Sequence, residues 1–223
     1  MITLTQYKIP KTLITEALTE IPHFDFRFTI NEPAGDFFYD PWKLKSEFQN
    51  TIWQKLYDSL PVNKGEARII KLEAGTCYAS HADADDRYHL NLSGNKCYMI
   101  DLDSKEFYPL IADGSWYEMD AGRRHTAANF GNKFRYQLVV RKLLVRSALK
   151  NLINITFKIK ELVDLEDARF IFDDVISPWI SKVNKQGQMN DFKFQNGIVS
   201  FSIDPSLKQE LEKLIPVEFE LIQ

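Results

Sequence analysis

Cysteine is almost absent: only Cys77 and Cys97 carry a thiol among 223 residues. Two cysteines make no disulfide framework, so reduced thiols in a cytosol are the simpler expectation. A surplus of one charge is missing too. Lys+Arg number 28 against 31 Asp+Glu, the formal net charge is −3 and the pI is about 5.9. No broad basic field favours nucleic acid or an anionic membrane as a partner. No apolar run approaches the ~20 residues of a membrane span. The opening MITLTQYKIPK has neither the charged nor the apolar region of a signal peptide, so a cytoplasmic location is expected. Internal repeats of 20–50 residues are lacking, as is any low-complexity tract. Histidine is scarce, with four in all. Three of them, His81, His89 and His125, fall in one block, and His23 lies outside it.

What is present can bury a core. Hydrophobic residues make up 44% and aromatics 13%. The length fits one large domain, or one medium and one small. A short helix is expected near 12–19, and the alternating run from His23 to Phe28 reads as a strand. A longer helix is expected from Pro41 to Leu60. Leu44, Phe48, Ile52, Leu56 and Leu60 recur every four residues there, Pro41 suits a first turn and Pro61 marks a stop.

From Glu66 the pattern changes to short strands and turns. Strands are expected near 67–73, 76–80, 86–92, 96–102, 106–110, 115–119, 124–129 and 134–142. Turn chemistry separates several of them, at Ala74-Gly75, Ser93-Gly94-Asn95, Asp113-Gly114 and Gly131-Asn132. Many short antiparallel strands in one block predict a jelly roll or small barrel rather than β-α-β units. A boundary is expected at 142–150. Beyond it come a strand over Ile155–Ile159 and a helix over Leu165–Val175 that Pro178 bends or ends. Then follow a hairpin about Asn196-Gly197, a helix from Pro205 to Leu214 and a last strand over Val217–Leu221. The order β-α-β-β-α-β matches a ferredoxin-like unit. The expected class is therefore α+β, with domains 1–146 and 151–223. The second contains neither His nor Cys, so no metal chemistry is expected in it.

The chemistry-bearing stretch is HADADDRYHLNL, with GSWYEMDAGRRHTAANFG and FRYQLVV downstream. Residues two apart in an extended segment share a face, so His81 and Asp83 can grip one ion. A later His125, on a strand brought alongside, completes a set of two imidazoles and one carboxylate. That set suits a non-haem Fe(II) with open positions. Asp85 is the competing carboxylate if the turn is wider, but the two-residue period favours Asp83. Arg135 can clamp a dicarboxylate through its fork of donors, which outlines a 2-oxoglutarate site. Alternation puts Arg87, His89 and Asn91 on one face and Tyr88, Leu90 and Leu92 on the other. Arg87 is a candidate for a carboxylate, or pairs with Asp85 or Asp86. His89 is a hydrogen-bonding neighbour of the site or a core histidine. Trp116 reads as packing before substrate contact, and Asn129 as a loop tie or a substrate contact. Arg123 and Arg124 read as a solvated turn or as a greeting for an anionic substrate. Cys77 reads as core filling.

These stretches resemble the aspartyl/asparaginyl β-hydroxylase-like branch of the Fe(II)/2-oxoglutarate oxygenases. The match runs through His81, Arg87, His89, Leu92, Trp116, His125, Asn129 and Arg135, with Asp83 as the carboxylate, and covers about residues 65–145. The resemblance implies a cupin-like double-stranded β-helix buttressed by N-terminal helices. It implies Fe(II) on His81, Asp83 and His125, with 2-oxoglutarate held by Arg135 aided by Arg87 and His89. The remaining co-substrate is O₂. The reaction implied is hydroxylation of an amino acid, free or within a peptide or protein. Rival readings are a metal cupin without 2-oxoglutarate and a non-catalytic module for a small acid. The C-terminal unit is expected to serve as a lid, a homodimer contact or a partner site.

Overall fold

A computed structural model describes residues 1–160 and 163–222. By their internal contacts these form two compact units, one of residues 1–80 and 85–143, the other of residues 81–84 and 144–223. No described helix is long and apolar enough to cross a membrane.

The first unit opens with β1 (Ile2–Lys8), α1 (Lys11–Thr19), β2 (Arg27–Thr29), β3 (Asn31–Pro33), β4 (Trp42–Leu44) and α2 (Ile52–Asp58). There follow β5 (Lys64–Leu72), β6 (Thr76–Cys77), β7 (Arg87–Asn91), β8 (Cys97–Asp101), β9 (Glu106–Pro109), β10 (Ser115–Met119), β11 (His125–Asn129) and β12 (Arg135–Lys142). A six-stranded sheet runs β1-β10-β7-β12-β5-β2 and a four-stranded sheet runs β6-β11-β8-β9. All of these pairings are antiparallel.

Register sorts the six-stranded sheet into two faces, because residues directly opposite across strands share a side. Trp116, Leu90, Leu138 and Ile69 line up on one side. They pack with Ile52, Trp53, Leu56 and Leu60 in one apolar core. Each fully buried side chain of this size contributes about 1.5–3 kcal/mol. The other side carries Tyr117, His89 and Val139 in one row and Asn91 with Gln137 in the next. On the four-stranded sheet the corresponding rows are His125 with Asp101, Ala127 with Met99 and Asn129 with Cys97. Cys97, Met99 and Ala127 pack against Met119 of β10, so the inner faces of the two sheets meet.

The helix expected from Pro41 to Leu60 is not continuous. Residues 42–44 pair as β4, Ser46–Phe48 make one 3₁₀ turn, and only Ile52–Asp58 is α-helix. Asn50 takes φ 61°, which a right-handed helix does not admit. Thr51 then caps the new helix through its side chain to the Trp53 N–H. The four-residue period still marks burial, since Phe48, Ile52, Leu56 and Leu60 all join the core. The strand expected at 23–28 is confined to Arg27–Thr29, and β1 pairs with β10 in a stretch where no strand was expected.

The second unit contains β13 (Ile153–Ile159), α3 (Leu165–Ile171), α4 (Ser177–Lys185), β14 (Met189–Gln195), β15 (Ile198–Ile203), α5 (Lys208–Leu214) and β16 (Phe219–Leu221). Its sheet runs β14-β15-β13-β16, antiparallel throughout. Asp164 caps α3 by accepting the Glu166 N–H. Pro178 does not end the helix. A π-helical turn over Phe172–Ile176 joins α3 to α4, and Pro178 sits in the first turn of α4, where no N–H is needed. Asn196 and Gly197 both have positive φ, 51° and 74°, as the two-residue β14–β15 hairpin requires.

Candidate metal centre

His125 opens β11, and its position is set by the strand ladder: it lies directly opposite Asp101 of β8. Its Nδ1 is 2.8 Å from the Arg123 carbonyl oxygen. A carbonyl only accepts, so Nδ1 carries a hydrogen. His81 and Asp83 lie in the segment between β6 and β7, with His81 Nε2 3.9 Å from Asp83 Oδ2. One ligand atom from each of His81, Asp83 and His125 lies within 4.8 Å of the others. His125 is buried, and the other two are half-exposed.

This donor set fits a divalent first-row metal by chemistry: two imidazole nitrogens, one carboxylate oxygen and a fixed tautomer on His125. Bonds of about 2.1 Å put neighbouring donors about 3 Å apart.

Asp85 is committed elsewhere. Its carboxylate accepts from Arg141 Nε at 2.7 Å and Nη2 at 2.6 Å. Arg87 Nη1 donates to the same carboxylate, and to the Asp85 carbonyl at 2.9 Å. Asp83, not Asp85, stands with the two histidines. Of the two readings of Arg87, the structure shows the pairing with Asp85: its guanidinium is held by an acid two residues away, and Arg141 in turn lies over the rings of Phe37 and Phe38. Arg87 is thus part of a buried ion cluster with Asp85 and Arg141.

Arg135 is 1% exposed, and its Nε and Nη1 have no hydrogen-bond partner. No carboxylate pairs with it among the described residues. Its guanidinium carbon lies 5.9 Å from the centre of the Tyr78 ring. Burial lowers its pKa, against smaller upward pushes from Tyr78 and Cys97. Burial likewise raises Tyr78, with Arg135 opposing. The stem of Arg135 passes so close to Gly94 that an added Cβ there would meet Arg135 Cγ at 3.1 Å and Cys97 Sγ at 2.7 Å. Gly94 has φ 131°, which L side chains rarely adopt.

The remaining expected residues separate clearly. His89 is 5% exposed, between Tyr117 and Val139 on the inner face. Trp116 faces the other way: it is fully buried in the helix-side core, and its Nε1 donates to Ser59 Oγ at 2.9 Å. Substrate contact by Trp116 is therefore excluded by strand register. Asn129 is a tie. Its Nδ2 donates to the carbonyls of Leu72, Glu73 and Lys133 at 2.9–3.1 Å, and its Oδ1 accepts the Gly131 N–H at 3.0 Å. With both ends so used it is not a substrate ligand. Arg124 is exposed and donates to Ser80 Oγ at 3.3 Å. Cys77, expected in the core, is exposed. Tyr78 and Gln137 escaped the sequence reading. Alternation from Arg135 points to Gln137, whose Nε2 donates to Asn91 Oδ1. Tyr78 follows the last residue of β6 and carried no signal.

In the second unit, Asp173 in the π-helical turn has its pKa raised to about 6, first by burial and then by the charge of Asp83, with Arg169 and His81 opposing.

No protein-family model matches the chain, and no curated protein does. Among solved structures, the chain is similar over part of its length to the crystal structure of CapF with inhibitor 3-isopropenyl-tropolone. It is 14% identical at a TM-score of 0.31, covering 36% of this chain and 25% of that one. The chain thus matches about a quarter of the length of that neighbour. The reading of the site rests on its own geometry.

Proposed function

We propose that the protein is an Fe(II)- and 2-oxoglutarate-dependent dioxygenase that hydroxylates an unactivated C–H of an amino acid, free or within a peptide or protein. The two facing sheets are then the halves of a double-stranded β-helix, with the metal at its mouth. The observation that carries this reading is the pairing of a His/Asp/His cluster with a buried, acid-free guanidinium on the inner face. A cation held at this depth without an acid is costly, and a bound dicarboxylate offsets that cost.

His81, Asp83 and His125 would hold the ion. Bound there, Fe(II) with 2-oxoglutarate and O₂ supplies C–H hydroxylation, the oxo acid losing CO₂ to leave succinate. Arg135 would take the distal carboxylate of the oxo acid through Nε and Nη1. The Tyr78 hydroxyl, buried beside Arg135, would donate to the same group. Burial of both excludes water and strengthens each charge-assisted bond. His89 and Gln137 present polar atoms on the same face and would orient the bound acid or substrate.

The test is a screen of free amino acids and short peptides for 2-oxoglutarate-coupled succinate release. It runs alongside the weak visible charge-transfer band expected from anaerobic protein with Fe(II) and 2-oxoglutarate. His81→Ala and Asp83→Ala should abolish both signals. A protein that binds iron but gives neither band nor succinate supports a metal cupin without 2-oxoglutarate. Turnover that survives Asp83→Ala overturns the ligand set.

A further inference from the structure

Asp101 is fully buried, yet it is not among the ligand cluster. Its Oδ1 accepts the Asp103 N–H at 3.0 Å and the Ser104 N–H at 3.2 Å, closing its own turn. Its Oδ2 is 2.7 Å from Arg123 Nη2. Arg123 stands two residues before His125, and its carbonyl is the group that accepts the His125 Nδ1–H. The same two turns are joined twice more. The Leu102 N–H donates to the Arg124 carbonyl at 2.9 Å, and the Arg124 N–H donates to Asp103 Oδ2 at 3.2 Å. The β8–β11 pair is thus stitched at the end where His125 sits, with a buried charge at the stitch.

We infer that Asp101 is a positioning residue for His125, acting through Arg123 to hold the imidazole in its Nδ1–H form with Nε2 directed at the metal. The Arg123 side chain is the lever and its carbonyl is the contact. Without the Asp101 anchor the 120–124 turn is free to rotate the carbonyl off the ring. The imidazole then loses the acceptor that selects its tautomer. Burial raises the Asp101 pKa, but the Ser104 N–H and hydroxyl and the Arg123 charge outweigh it, and the carboxylate is held below its ordinary value. The inference rests on reading His125 as a ligand. It does not depend on the identity of the co-substrate.

The experiment uses the metal-free full chain with ¹⁵N-labelled histidine and a long-range ¹H–¹⁵N correlation, with the His125 signals assigned by their loss in His125→Gln. The wild type should show an Nδ1–H ring. Asp101→Asn and Arg123→Ala should move both ring nitrogens toward a tautomer mixture, and Arg123→Lys should restore the wild-type pattern. In a parallel Co(II) titration followed by its visible bands, Arg123→Ala should raise the Kd about tenfold, the lower end of the effect of losing an outer-shell partner. If Asp101→Asn fails to fold, Arg123→Ala carries the test, because its side chain is 39% exposed and melting can confirm the fold. A wild-type tautomer and wild-type Co(II) affinity in Arg123→Ala overturn the inference. A tautomer that shifts as expected in a protein that binds no Co(II) keeps the positioning of His125 and overturns only the metal reading.

Discussion

A guanidinium with two unsatisfied nitrogens inside a protein is retained at a cost to the fold. At Arg135 that cost gives a prediction with an unusual sign. Arg135→Met fills the same space without charge, so the unliganded protein should gain about 1–3 kcal/mol in urea unfolding. The same variant should need far more 2-oxoglutarate for turnover while binding Co(II) as the wild type does. A destabilised Arg135→Met protein would assign Arg135 to the scaffold. Trp116 gives the contrasting case. Trp116→Phe removes the bond to Ser59 and part of a fully buried ring. It should cost about 1–3 kcal/mol of stability, with Co(II) affinity unchanged. The sequence shows why the two differ: in RYHLNL and SWYEM the odd and even positions fall on opposite sides. Alternation therefore predicts the sides of His89 and Leu90 directly. It does not predict that Asp85 captures Arg87, because a turn, not a strand period, brings those groups together.

At the scale of elements, the stretch before α2 is where pattern reading failed. Apolar residues every four positions fit a helix, but a strand, a 3₁₀ turn and a short helix that all face one core give the same list. Asn50 decides between them, and Asn is among the few residues that adopt its φ readily. Asn50→Ala should therefore destabilise by about 1–2 kcal/mol, whereas Asn50→Gly should be close to neutral, as measured by thermal melting. Equal losses in both variants would mean that the Asn50 side chain matters, not the backbone conformation. β1 was missed for the opposite reason. It is an edge strand with only half-buried and exposed residues, so no apolar alternation marks it. β5, β7, β8, β10, β11 and β12 were legible because each has one or both faces in the core.

For the whole molecule, titration at Asp173 links stability to pH. Its pKa is about 6 in the fold against 3.8 as the ordinary value. Between those values the folded chain holds a proton that the unfolded chain has lost. Unfolding free energy therefore falls as pH rises from about 4 to about 6, then levels. The full shift corresponds to about 3 kcal/mol, and partial exposure of the side chain, 26%, reduces it to about 1–2 kcal/mol. Asp173→Asn should thus gain that much on the wild type between pH 4 and pH 7, read from urea curves of the metal-free protein. Parallel stability profiles would remove Asp173 from the account. The whole arrangement also gives Gly94 a role beyond that of a turn. With no side chain it leaves room for the stem of Arg135, so residue 94 acts as a gauge for how far that arm extends. Under the proposed function, each added carbon at this one position should shift the guanidinium, and with it the length of diacid that fits best.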